Sequence, residues 1–211
     1  MRIDRRSLIL GASTLTLGAG ALGLAGCGGG GGAVTSDDMS LGKADAPVTV
    51  IEYASLACSH CGQWNREVFP AFKAKYIDTG KVHYVFREFA TPPQELAAAG
   101  ALLARCAGKD RYFTVIDAVF HGQEEIFTTG DMRGVLQRIA QSAGMNEEQF
   151  IACVSDEKAL KAFNARWEKY AREDKIEATP TFLFNGDRYD KGEMSMAEID
   201  AAYAKALAKK K

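Results

Sequence analysis

The 211-residue chain has no surplus of charge in either sign. Its 26 Lys and Arg face 27 Asp and Glu, a net charge of −1. That balance excludes a dedicated nucleic-acid binder, which carries a basic excess. Histidine is scarce, three in all, and no second Cys-x-x-Cys accompanies the one present. A structural zinc site, which takes four Cys, His or carboxylate ligands, is therefore not expected, and no cofactor is implied. No internal repeat and no second sheet domain are visible. With 47% hydrophobic and 25% charged residues, the composition is that of one globular domain.

The N-terminus differs from the rest. Arg2, Arg5 and Arg6 stand against Asp4, and no further charge appears until Asp37. Leu8 to Ala25 is apolar and small. This pattern predicts a removable secretory signal over residues 1–26. The many glycines make it a poor membrane-spanning helix. Leu24-Ala25-Gly26-Cys27 resembles a bacterial lipobox, which implies that Cys27 is acylated and holds the protein on a membrane. Arg5-Arg6 matches a twin-arginine export signal only in part. The glycine run Gly28 to Gly32 places a flexible tether over 27–40, and the folded domain is expected over 41–211.

Five cysteines are present: Cys27, Cys58, Cys61, Cys106 and Cys153. An odd count in an exported chain needs an explanation. Lipidation of Cys27 leaves four, which can pair as Cys58–Cys61 and Cys106–Cys153. The second pair reads as a structural disulfide. The alternatives are a second redox-active pair or two buried free thiols.

Val48 to Tyr53 reads as a buried strand, and Val82 to Phe89 as another. Between them Trp64, Val68, Phe69, Phe72 and Tyr76 recur at helical spacing, with a kink expected at Pro70. From about 91 to 174 the pattern is all helical: Leu96–Ala107, Tyr112–Phe120, Met132–Ala143, a helix capped by Asn146 with Phe150, Ile151 and Val154 inward, and a long one through Leu160, Phe163, Trp167 and Tyr170. Thr181–Phe184 is a strand, Asn185-Gly186 a hairpin turn and Tyr189–Lys191 the returning strand. Ser195 and Glu198 form a capping box before the last helix. The predicted order is βαβ, a helical block, then ββα.

Cys58-Ser59-His60-Cys61 follows a strand and opens a helix. There, free N–H groups and the helix dipole stabilise an anion. Cys58 is the expected thiolate nucleophile, His60 a nearby donor or positive charge, and Cys61 the resolving thiol. A stabilised thiolate makes the disulfide a stronger oxidant. A purely structural disulfide is the competing reading, but so small a loop contributes little stability.

With these features the chain resembles the thioredoxin superfamily, and within it the DsbA-type thiol:disulfide oxidoreductases. The stretch Val50 to Cys61 carries the likeness, together with the helical insertion and Thr179-Pro180. The resemblance implies an α/β thioredoxin fold with an all-helical insertion between its halves. It implies that Pro180 is cis, with Thr179 offering backbone groups to a substrate peptide. It also implies that Glu52 lies buried beneath the active-site disulfide. Two departures stand out: Ser59-His60 replaces the Pro-His of strongly oxidising members, and Thr179 replaces their Val. Both are expected to move the potential toward less oxidising values. The partners implied are thiol-containing exported proteins and a DsbB-type quinone-linked membrane oxidase. Two other functions fit the motif less well: a reductase or isomerase, and a non-catalytic thioredoxin-like lipoprotein that binds a partner.

Overall fold

A computed structural model describes residues 32–209. The expected signal, Arg5-Arg6, Cys27 and the first glycines lie outside the described residues.

Five strands form one sheet in the order β1-β3-β2-β4-β5. β2 (Val48–Ala54) is central, parallel to β3 (Val82–Glu88) and antiparallel to β4 (Thr181–Phe184). Both faces of β2 are covered, so its sequence is a nearly unbroken apolar run. Val48, Val50 and Ala54 face the larger core, beside α1 (Ser59–Glu67) and the helices of the insertion. Ile51 and Tyr53 face a smaller core with Val85, Tyr170, Ile176 and Leu183. Glu52 falls on the larger-core side, and alternation leaves its carboxyl nowhere to go but inward.

The helix expected from Trp64 to Tyr76 is broken rather than only kinked. α1 ends at Glu67, α2 spans Phe69–Phe72, and a π-helical turn follows over Lys73–Ile77. Pro70 stands in the first turn of α2, where its missing N–H costs no intrahelical bond. Trp64, Phe72 and Phe182 then meet as tilted rings 4.7–6.0 Å apart.

The insertion comprises α3 (Gln94–Cys106), α4 (Lys109–Thr129), α5 (Met132–Ser142), α6 (Glu147–Val154) and α7 (Glu157–Glu173). α4 runs on past the expected end at Phe120 because Gln123 and Ile126 keep its buried stripe in register. Gly130, at φ 74°, ends it. Two side chains expected to point inward do not. Ile151 is 43% exposed and Leu160 39% exposed. α6 is only eight residues long and docks through Phe150, which leaves Ile151 on its outer side. Phe163 takes the core position on α7.

The hairpin turn falls at Asn185-Gly186, both at positive φ, and β5 is Asp187–Tyr189, earlier than expected. α8 (Met196–Ala208) starts at the Ser195–Glu198 capping box.

The tether was expected to run free to residue 40. Instead, β1 (Met39–Leu41) pairs antiparallel with β3, a strand too short to leave a periodic signal. Just before it Asp38 pairs with buried Arg87 at 2.9 Å, and Arg87 also holds Asp174 at 3.1 Å and the Tyr53 hydroxyl at 2.8 Å. Gly32 N–H donates to Asp174. A buried guanidinium needs such partners, so the segment from Gly32 onward is fastened to the domain. Among the described residues no helix is long and apolar enough to cross a membrane.

Candidate active site

Cys58 is the N-cap of α1, with extended backbone (φ −86°, ψ 118°), and its sulfur accepts the Cys61 N–H at 3.4 Å. The helix therefore starts on Cys58 itself, whose sulfur faces the unpaired N–H groups of the first turn. The Cys58 thiol is lowered to about 6, first by the Cys61 thiol that hydrogen-bonds to it. Burial opposes the shift, and Thr179 and the Cys61 and His60 N–H groups add to it. Cys61 is fully buried, and burial pushes its thiol well above the usual range. The two thiols, three residues apart, are thus set far apart in acidity.

Thr179-Pro180 lies against them. The peptide bond between them is cis, and the Thr179 carbonyl accepts the Cys58 S–H at 3.4 Å. The buried Thr179 hydroxyl has no hydrogen-bond partner among the described residues. It is left free to donate to a Cys58 thiolate. Ser59 is exposed on the first turn. His60 is 70% exposed at its side chain, and its Nδ1 meets Glu193 Oε1 at 2.7 Å.

Glu52 is 1% exposed and accepts a hydrogen bond from the Tyr84 hydroxyl. Burial raises it to about 8; the Tyr84 bond works against this, and negative charge on Cys58 adds to it. At neutral pH the group is therefore mostly a protonated acid. Its charge acts on Cys61 in turn.

Two neighbours escape any reading of the motif. Gln123, from α4 of the insertion, is 2% exposed and donates to the carbonyls of Leu56 and Cys58 at 2.9 and 3.1 Å. Trp64 Nε1 donates to the Met194 carbonyl at 2.9 Å. A lone glutamine within a helix carries no sequence signal for such a contact. Cys106 and Cys153 are joined, tying the end of α3 to α6. Among the described residues, no group of three or more His, Cys, Asp or Glu could hold a metal ion.

A family model described as Thioredoxin matches residues 34–202. The chain is 34% identical over 179 residues to a "Putative protein-disulfide oxidoreductase" of Rickettsia bellii, covering 84% of this chain and 68% of that protein. The chain belongs to the DsbA-like protein-disulfide oxidoreductases of the thioredoxin superfamily. A relative of the same name in Rickettsia conorii is 35% identical, over 84% of this chain and 63% of its own length. The chain thus spans about two-thirds of these curated relatives. The crystal structure of Wolbachia pipientis alpha-DsbA1 superposes with a TM-score of 0.73 at 31% identity, over 84% of this chain and 96% of that one. The five-stranded sheet interrupted by α3–α7 is the fold of these DsbA-like neighbours.

Proposed function

We propose that this DsbA-like chain donates the Cys58–Cys61 disulfide to exported proteins. The observation that carries the direction is the contrast between the two thiols. Cys58, lowered to about 6, is ionised at neutral pH, and stabilising the reduced form makes its disulfide oxidising. A substrate thiolate attacks Cys58 Sγ of the disulfide, and Cys61 leaves as a thiolate. Glu52, mostly protonated at neutral pH, serves as the proton source for that buried sulfur. A second substrate thiolate then attacks the substrate sulfur of the mixed disulfide, and Cys58 leaves. The substrate gains one disulfide and loses two electrons, and the Cys58/Cys61 pair becomes a dithiol. Reoxidation falls to a DsbB-type quinone-linked membrane oxidase. The cis Thr179-Pro180 edge offers its backbone to the extended substrate. Cys106–Cys153 serves as a structural crosslink of the insertion.

The protein acts outside the cytoplasm as a lipoprotein, held by acylated Cys27 after removal of residues 1–26. The run of small residues ending in Leu24-Ala25-Gly26-Cys27 supports this reading. Cys27→Ala should release the protein from the membrane fraction. The catalytic test is oxidative refolding of a reduced, unfolded substrate protein in oxidised glutathione. The chain should speed disulfide formation, and Cys58→Ser/Cys61→Ser should not. Equal rates would leave the binding-module reading, and net reduction of a disulfide substrate would favour the reductase.

A further inference from the structure

One carboxylate near the motif has no part in the exchange chemistry described so far. Glu193 sits in the loop between β5 and α8, its side chain 25% exposed, and its Oε1 lies 2.7 Å from His60 Nδ1. The next residue of the loop, Met194, is buried and accepts the indole N–H of Trp64. His60 and Trp64 are four residues apart and share one face of α1. Two adjacent loop residues therefore engage two stacked positions of the helix, and the buried Trp64 bond fixes where Glu193 can reach.

We propose that Glu193 is a positioning residue of the exchange site: its carboxylate holds His60 in one orientation and as an imidazolium, and thereby governs how readily Cys58 leaves. A carboxylate at Nδ1 fixes the proton there and leaves Nε2 as the nitrogen that gains or loses one. An imidazolium two residues from Cys58 favours its thiolate, the species released when the mixed disulfide resolves. The charged groups acting on His60 are Glu193 first and Cys58 after it, and both favour its protonated form. No hydrogen bond joins Glu193 to Cys58 among the described residues, so its influence on the sulfur is relayed by the ring. This inference rests on Cys58 being the leaving thiolate, and it holds for a weak or a strong oxidant alike.

The test uses the domain with Cys106–Cys153 intact, comparing Glu193→Gln, His60→Ala and the double variant. His60 protonation is followed by NMR, Cys58 ionisation by thiolate absorbance, and the reduced:oxidised ratio in glutathione buffers. Glu193→Gln should move the His60 midpoint to lower pH and the Cys58 midpoint to higher pH. It should shift the glutathione equilibrium toward the oxidised form by about five-fold at pH 7, a fraction of a full close-charge effect. In the His60→Ala background the same substitution should leave that equilibrium unchanged. An unmoved His60 midpoint in Glu193→Gln would overturn the proposal, as would an equal shift without His60. These comparisons are between variants. A wild-type potential in the reducing range would instead count against disulfide donation and leave Glu193's role to be judged by the cycle.

Discussion

Gln123 Nε2 lies 3.1 Å from the carbonyl oxygen of Cys58 and 2.9 Å from that of Leu56. One buried side chain of the insertion thus donates to two backbone acceptors of the loop that leads into the Cys58 motif. Gln123→Leu removes the donor and leaves both carbonyls without it. The expected loss is about 2 kcal/mol of stability, chiefly the cost of an unpaired Leu56 carbonyl, since the Cys58 carbonyl keeps the Gly62 N–H at 3.1 Å. Denaturant unfolding of the reduced protein measures it. A loss within a few tenths would show that the loop holds itself.

The two thiols should differ sharply toward an alkylating agent. Cys58 is partly exposed and lowered to about 6, so its reaction rate should rise through that pH and level off near neutrality. Cys61 is fully buried and should react only after unfolding. Peptide mapping after brief iodoacetamide treatment of the dithiol form separates them. Preferential labelling of Cys61 would reverse the assigned roles.

Cys58 ionisation also couples to stability. Its pKa in the folded dithiol form lies below the unfolded value, so the contribution is complete above about pH 9. It shrinks as pH falls and is gone below about 6. Glu52 has the opposite sense: raised to about 8, chiefly by burial, which the reduced and oxidised forms share, it costs stability as pH rises above its ordinary value. The difference between reduced and oxidised protein removes most of that shared part. After a discount for partial exposure of Cys58, this difference should grow in favour of the reduced form by about 1 kcal/mol from pH 5 to 7. Denaturant titrations of both forms at the two pH values check it, and a constant difference would contradict it.

The Cys106–Cys153 link closes a loop of sequence separation 47. In the chain-entropy account such a crosslink contributes about 4 kcal/mol. Cys106→Ser/Cys153→Ser should lower stability by about 2 to 4 kcal/mol and leave exchange at Cys58–Cys61 intact. A large change in the Cys58–Cys61 potential with little loss of stability would favour a redox role for the second pair.

Much of this was legible in the sequence, for identifiable reasons. Val48–Tyr53 and Thr181–Phe184 are mostly apolar runs, and Asn146–Gln149 and Ser195–Glu198 are local capping signals that tertiary packing did not disturb. Cys58-Ser59-His60-Cys61 and Thr179-Pro180 came from motif chemistry and family resemblance. What escaped depends on contacts distant in sequence. β1 exists because β3 offers it an edge, and Asp38 is anchored because Arg87 is buried beneath it. Gln123 and Glu193 reach the motif from α4 and from the loop before α8. No spacing rule links either to residue 58 or 60. Ile151 and Leu160 fit an amphipathic pattern but lie on the rim of short or late helices, where apolarity alone does not decide the face.

The reduction potential of the Cys58–Cys61 pair, from equilibration with glutathione buffers, bears most directly on disulfide donation. With Cys106–Cys153 followed separately by thiol labelling, the predicted value is less negative than about −180 mV, on the oxidising side of protein disulfide isomerase. A value near about −250 mV, close to thioredoxin, would contradict donation and make the chain a reductase.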